Sequence, residues 1–396
     1  MDPLRNPFSP GAGTPPPELA GRSEILEKAM LALARVKRGR PEKSLLLVGL
    51  RGVGKTVLLH KISELAETDG YKVVMIEAHE NKALPELLIP YLRQLLFSLD
   101  AKEGVNEKVK RGLRVLKSFV SGLRVKIQEV ELGIDINPEK GTADSGDLEA
   151  DLAQLFIALG EAARASETAI VLIIDEMQYL SEEELSSLIM ASHKISQKSL
   201  PLVIIGAGLP QLRGKAGNAK SYAERLFNYP EIGPLSDEDA MKALQEPMKA
   251  EGVKFTHEAL KEILRITEKY PYFLQEWGYQ SWEIAEKSPV GVDVLKRATS
   301  ASISRLDQNF FRVRFDRLTP REREYLRAMA ELGPGPHRSG DIAEKLNTDV
   351  QKVAPFRSNL IAKGMIYSPA YGDTEFTVPL FGDFMKRIMP IFDIKK

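Results

Sequence analysis

Four apolar runs punctuate the first half of the chain, each closed by a glycine-rich or acidic stretch: Ser44 to Val48, "YKVVMIEA", "AIVLIID" and "LPLVIIGAG". They are short and nearly unbroken rather than alternating, which is the pattern of strands buried on both faces of a parallel sheet. Between them apolar residues recur at helical spacing, in Val57 to Glu67, Leu84 to Leu99 and "SEEELSSLIMASHKISQ". The alternation predicts an α/β core. From Leu235 to about Leu306 the pattern is helical throughout, with Ser236 and Thr256 placed as N-caps. Thr319 and Pro320 then open another helix as cap and first residue. "SGDIAEKL" predicts a short second helix and Val350 to Lys363 a third, followed by Gly364 and two alternating strands joined at "YGD".

The loop after the first strand, Gly49-Leu50-Arg51-Gly52-Val53-Gly54-Lys55-Thr56, satisfies G-x-x-x-x-G-K-[ST] in full, and Val57 continues it into a helix. Strand, glycine loop and helix are the context this motif requires. The glycines let backbone N–H groups turn inward around phosphate oxygens, and the helix N-terminus favours negative charge there. Gly49, Arg51, Gly52, Val53, Gly54, Lys55, Thr56 and Val57 are therefore candidate ATP contacts, with Lys55 reaching the β- and γ-phosphates and Thr56 a ligand to Mg²⁺. The third apolar run ends in Asp175 and Glu176, at the mouth of a parallel strand where such sheets bind ligands. Asp175 is expected to complete the Mg²⁺ shell, and Glu176 to polarise the attacking water.

Composition narrows the class. At 396 residues the chain has room for two or three domains. Hydrophobic content of 43% and charged content of 28% are ordinary for a globular protein, and a formal charge of zero gives no global pull toward nucleic acid. There is no cysteine, so disulfides, thiolate metal sites and cysteine nucleophiles are excluded, in keeping with a cytoplasmic protein. Five histidines show no metal-ligand spacing, which argues against a zinc enzyme. No apolar run approaches the roughly 20 residues needed to span a bilayer. The proline-rich first 20 residues are expected to form an extended leader.

From Pro17 to Trp282 the ordered motifs resemble AAA+ ATPases of the origin-recognition-like branch that grades into STAND signalling ATPases. The resemblance implies an ATPase core over 21–232 and a helical lid over 233–308. It also implies that "PELAGR", with Leu19, Gly21 and Arg22, packs on the adenine. Arg225 stands where the family carries an arginine finger, a catalytic cation acting within its own subunit or on a neighbour's nucleotide in a homo-oligomer. Tyr270 and Pro271 match the lid signature, with Pro271 near the adenine, but Lys269 replaces its glycine. The fourth apolar run ends in Gly206-Ala207-Gly208 where the family places a polar γ-phosphate sensor. These departures imply slow turnover.

Two regions remain. Near 100–146, a basic helix (Lys108, Lys110, Arg111, Arg114, Lys117) followed by alternation from Val125 to Ile136 suggests a helix–hairpin insertion. Its basic face would meet DNA or a protein partner, or be an ordinary solvated face. Residues 309–396 resemble a winged-helix domain, in which Lys352, Arg357 and Lys363 would contact double-stranded DNA. The charge there is modest, with 13 Lys and Arg against 10 Asp and Glu from Arg317 to Lys396. The expectation is a cytoplasmic ATPase, with no membrane partner, that couples nucleotide state to self-assembly and to a DNA-binding domain. The alternative is a STAND-type switch whose last domain contacts protein.

Overall fold

The computed structural model describes residues 1–11, 13–100, 107–122 and 137–392. The expected hairpin from Val125 to Ile136 lies outside them. The chain divides into two compact units: Arg22–Gly49 with Lys55–Ile232, and Met1–Gly21 with Leu50–Gly54 and Gly233–Lys396.

The first unit is built on a five-stranded sheet, β1 (Ser44–Val48), β2 (Lys72–Glu77), β3 (Ile170–Asp175), β4 (Leu202–Gly208) and β5 (Phe227–Asn228). All pairings are parallel and the order is β2-β3-β4-β1-β5. Every residue of β1, β3 and β4 is buried, as their unbroken apolar sequences require, whereas β2 lies at the edge and is partly exposed. Helices Lys55–Thr68, Leu148–Ala165 and Glu182–Gln197 flank the sheet. The order has one consequence for chemistry. β4 lies between the loop-bearing β1 and the acidic β3, so the end of β4 separates the two candidate halves of the site.

The basic helix, Glu107–Gly122, packs in this unit with much of its charge matched. Lys108 pairs with Glu161 at 3.0 Å, and Arg111 pairs with Glu139 at 3.0 Å and Glu161 at 2.9 Å. Those cations hold the helix to its neighbours.

In the second unit, the leader straps onto the Pro271–Ile284 helix. Phe8 is buried against Gly278, where a Cβ would meet its ring at 2.7 Å. Asn6 Nδ2 donates to the Tyr279 carbonyl at 3.2 Å, and Trp282 Nε1 donates to the Asp2 carbonyl at 2.8 Å. Trp277 and Trp282 are buried. The last third carries helices Pro320–Leu332, Ser339–Lys345 and Val350–Ala362 and an antiparallel sheet of β6 (His337–Arg338), β7 (Ile366–Tyr367) and β8 (Asp373–Phe376), ordered β6-β8-β7. Thr319 and Glu322 close a reciprocal capping box at the first of these helices. A final helix, Phe381–Ile388, and the two-residue β6 were not foreseen from the pattern. Among the described residues, no helix is long and apolar enough to cross a membrane.

Candidate functional site

The glycine loop leads from β1 straight into the Lys55–Thr68 helix. Gly52 and Gly54 take φ of 84° and 91°, a backbone region that L side chains rarely adopt, so glycine is required at both. Arg51 and Val53 stand beside them in the same loop. Lys55 is buried, and its Nζ donates to the Gly49 carbonyl at 2.9 Å. A buried ammonium that donates to a peptide oxygen is well placed to exchange it for an anion. Thr56 follows at the helix start, and its hydroxyl donates to Asp175 Oδ2 at 2.6 Å. Val57 completes the motif on that first turn.

Asp175, the last residue of β3, is 4% exposed. Burial pushes its carboxyl above the usual aspartate range, against the opposing pull of the Thr56 hydroxyl and the Glu176 N–H, which donates to Oδ1 at 2.8 Å. The Thr56 hydroxyl and this carboxylate form a hard-oxygen pair of the kind Mg²⁺ selects. Glu176 adopts left-handed backbone (φ 52°), which turns its side chain out of the strand direction. Gln178, in the 3-10 turn Met177–Tyr179, donates from Nε2 to the Glu176 carboxylate. The sequence reading passed over Gln178; its position two residues after the acidic pair was the available signal.

The end of β4 has no room for a polar side chain at Gly206 or Gly208. A Cβ on Gly206 would lie 2.1 Å from Met177 Sδ and 2.9 Å from Leu46 Cδ2. One on Gly208 would lie 2.8 Å from Leu212 Cδ2 and 3.0 Å from Gln178 Oε1.

Arg225 lies elsewhere. It immediately precedes the end of the short Ala223–Leu226 helix, and Phe227 pairs with Ser44 at the start of β1. The glycine loop leaves the other end of β1, four residue steps of about 3.3 Å away. Arg225, Arg35, Arg40 and Lys43 line a cavity of about 260 Å³ at that far end, where Arg35 is paired with Glu42 at 2.5 Å.

The remaining candidates occupy their own settings. Gly21, two residues after Leu19, has φ 67°, and a Cβ there would lie 2.6 Å from Asp239 Oδ2. Arg22 is buried at the start of the Ser23–Lys37 helix. Pro271 is the first residue of its helix, and the next residue, Tyr272, donates its N–H to the Gly52 carbonyl at 3.2 Å. Lys269 has φ 59°, a conformation glycine adopts without cost, and its Nζ reaches Asp237 at 2.9 Å. In the last third, Arg357 is bound to Thr374, Ser368 and the Asp373 carbonyl, each at 2.9 Å. Lys363 pairs with the buried Glu322 at 2.7 Å. Lys352 is exposed beside Asp349 at 3.4 Å.

Residues 18–205 match the family model described as an AAA ATPase domain, and residues 308–385 match one described as a domain of unknown function. No curated protein sequence matches the chain. Among solved structures, the Walker-type ATPase of Pyrococcus abyssi is similar with a TM-score of 0.62 at 17% identity, over 96% of this chain and 99% of that one. The ORC1 protein of Aeropyrum pernix, solved in complex with DNA, gives 0.47 at 15% identity over 94% of each chain. The RuvB branch migration motor of Thermotoga maritima gives 0.44 at 15% identity over 89% of this chain and 91% of that one. The chain has the α/β P-loop ATPase fold, a parallel five-stranded sheet with flanking helices and a largely helical C-terminal region.

Proposed function

We propose that this protein binds ATP with Mg²⁺, hydrolyses it slowly, and uses the nucleotide state to control self-assembly and its C-terminal winged-helix-like domain. The observation that carries this is the meeting of Lys55, Thr56, Asp175 and Glu176, contributed by two strand ends that β4 separates. Thr56 and Asp175 would hold Mg²⁺, which supplies charge neutralisation on the phosphates. Lys55 exchanges the Gly49 carbonyl for β- and γ-phosphate oxygens. Glu176 accepts a hydrogen bond from the attacking water and aligns it with the γ-phosphorus. Leu19, Gly21, Arg22 and Pro271 are assigned to the adenine side. Arg225, placed at the far end of β1 from its own loop, is assigned to a neighbouring copy's γ-phosphate.

Steady-state hydrolysis tests the core of this. Lys55→Ala is expected to abolish nucleotide binding and turnover together. Glu176→Gln is expected to keep ATP binding and lower kcat by roughly 10²-fold or more, the scale of a lost general base. Full turnover in Glu176→Gln would sink the role given to Glu176.

For the C-terminal domain, contact with duplex DNA is the first reading, through Lys352 and its neighbours on the Val350–Ala362 helix. The bonds that hold Arg357 and Lys363 within the domain favour a second, a STAND-type switch in which the domain contacts protein. Turnover stimulated by duplex DNA and fading with added salt supports the first, because phosphate contacts release counterions. DNA-indifferent turnover supports the second.

A further inference from the structure

Gln178 reaches in two directions from its turn. Its Oε1 accepts the N–H of Leu209, the residue directly after β4, at 3.1 Å, and its Nε2 donates to the Glu176 carboxylate. The orientation of the amide is fixed by its partners, since a backbone N–H can only donate and a carboxylate can only accept. The turn itself is pinned from the Gln211–Ala219 helix: Lys215 Nζ donates to the Gln178 carbonyl at 3.2 Å and to the Leu180 carbonyl. The Tyr179 N–H closes the turn on the Glu176 carbonyl at 3.0 Å. Gln178 Oε1 also lies 3.0 Å from where a Cβ on Gly208 would stand. A polar group therefore stands at the end of β4 after all, delivered from the turn that follows β3.

We propose that Gln178 is a positioning residue for hydrolysis: its amide aims the Glu176 carboxylate and ties that aim to the end of β4. Movement of the β4 end is then felt at the group that orients the water. The inference rests on the ATPase reading above, and it goes beyond that reading by giving the missing β4 sensor a replacement. The rival account is that Gln178 only staples the turn to β4, with no bearing on Glu176.

The test compares Gln178→Ala and Gln178→Glu in the full chain, with Lys55→Ala as blank, measuring kcat, affinity for a fluorescent ATP analogue and melting temperature. Misaim of about 1 Å predicts a kcat loss of about 10²-fold in Gln178→Ala, with affinity and melting temperature unchanged. Gln178→Glu keeps the acceptor for Leu209 but sets a carboxylate against Glu176, so it is expected not to rescue turnover. In a Glu176→Gln background, adding Gln178→Ala is expected to cost nothing further, as for residues that act as a unit. Wild-type kcat in Gln178→Ala, rescue by Gln178→Glu, or a loss that follows affinity or melting temperature would each overturn the inference while leaving the ATPase reading in place. Wild-type turnover no greater than that of Lys55→Ala would overturn both.

Discussion

At the scale of single residues, the site holds polar groups whose present partners are poor substitutes for a ligand. Lys55 is buried and donates to the Gly49 carbonyl, and Asp175 is buried with its carboxyl raised in pKa. A raised folded-state pKa means that burial penalises the ionised form. The penalty is fully present at neutral pH and disappears as pH falls below the unfolded aspartate value of about 3.9. Asp175→Asn removes the charge, and its oxygen can still accept the Glu176 N–H while its amide donates to the Thr56 hydroxyl oxygen. At neutral pH it is therefore expected to leave the nucleotide-free protein as stable as wild type or more so, by roughly 0–1 kcal/mol. Thermal unfolding with and without Mg²⁺·ATP checks both sides: the variant should lose the Mg²⁺-dependent rise in melting temperature. A large drop in stability without ligand would contradict the argument.

At the scale of elements, β4 shows packing deciding which side chains a strand can carry. Its glycines are needed because Met177, Leu46 and Leu212 fill the space where side chains would grow. Gly206→Ser would restore a polar group at the expected sensor position. It is expected instead to destabilise by about 1–3 kcal/mol, the cost of overpacking a filled core, and not to speed turnover. Chemical denaturation and a hydrolysis assay measure the two effects. The Pro320–Leu332 helix makes a second case. Burial works against the Glu322 carboxylate, but Lys363 and the Thr319 N–H more than offset it and hold its pKa below the ordinary glutamate value. A depressed pKa gives stability that is present above the unfolded value of about 4.3 and lost as pH falls through the folded one. Glu322→Gln is thus expected to cost about 1–3 kcal/mol at pH 7. Its difference from wild type should shrink in unfolding curves taken at progressively more acid pH.

At the scale of the molecule, the parallel register pairs Phe227 with Ser44, so Arg225, two residues earlier, lies at the opposite end of β1 from the glycine loop. If Arg225 serves a neighbouring copy, two crippled proteins should complement one another. Arg225→Ala retains Glu176, and Glu176→Gln retains Arg225, so a mixture can assemble some complete sites. The mixture is expected to hydrolyse ATP faster than the sum of the two alone. Simple additivity at concentrations where the wild type self-associates would rule out action of Arg225 on a neighbouring copy's nucleotide.

The sequence alone determined what neighbouring residues fix among themselves. The glycine loop could be read because positive φ at Gly52 and Gly54, the strand before them and the helix after them are encoded within a dozen residues. The caps at Ser236, Thr256 and Thr319 were legible for the same reason, since each side chain bonds a backbone N–H three residues on. Tertiary structure decided everything that depends on which strand lies beside which. Inserting β4 between β1 and β3 brings Leu209 to Gln178 across 31 positions of sequence and leaves no room for a β4 side chain. Folding of the last third consumes Arg357 and Lys363 in bonds to Thr374 and Glu322, although both read as free cations along the chain. The two-residue β6 exists only through its pairing with β8. Local backbone preference is written in short spans, whereas packing and charge pairing are settled by contacts between segments the sequence keeps far apart.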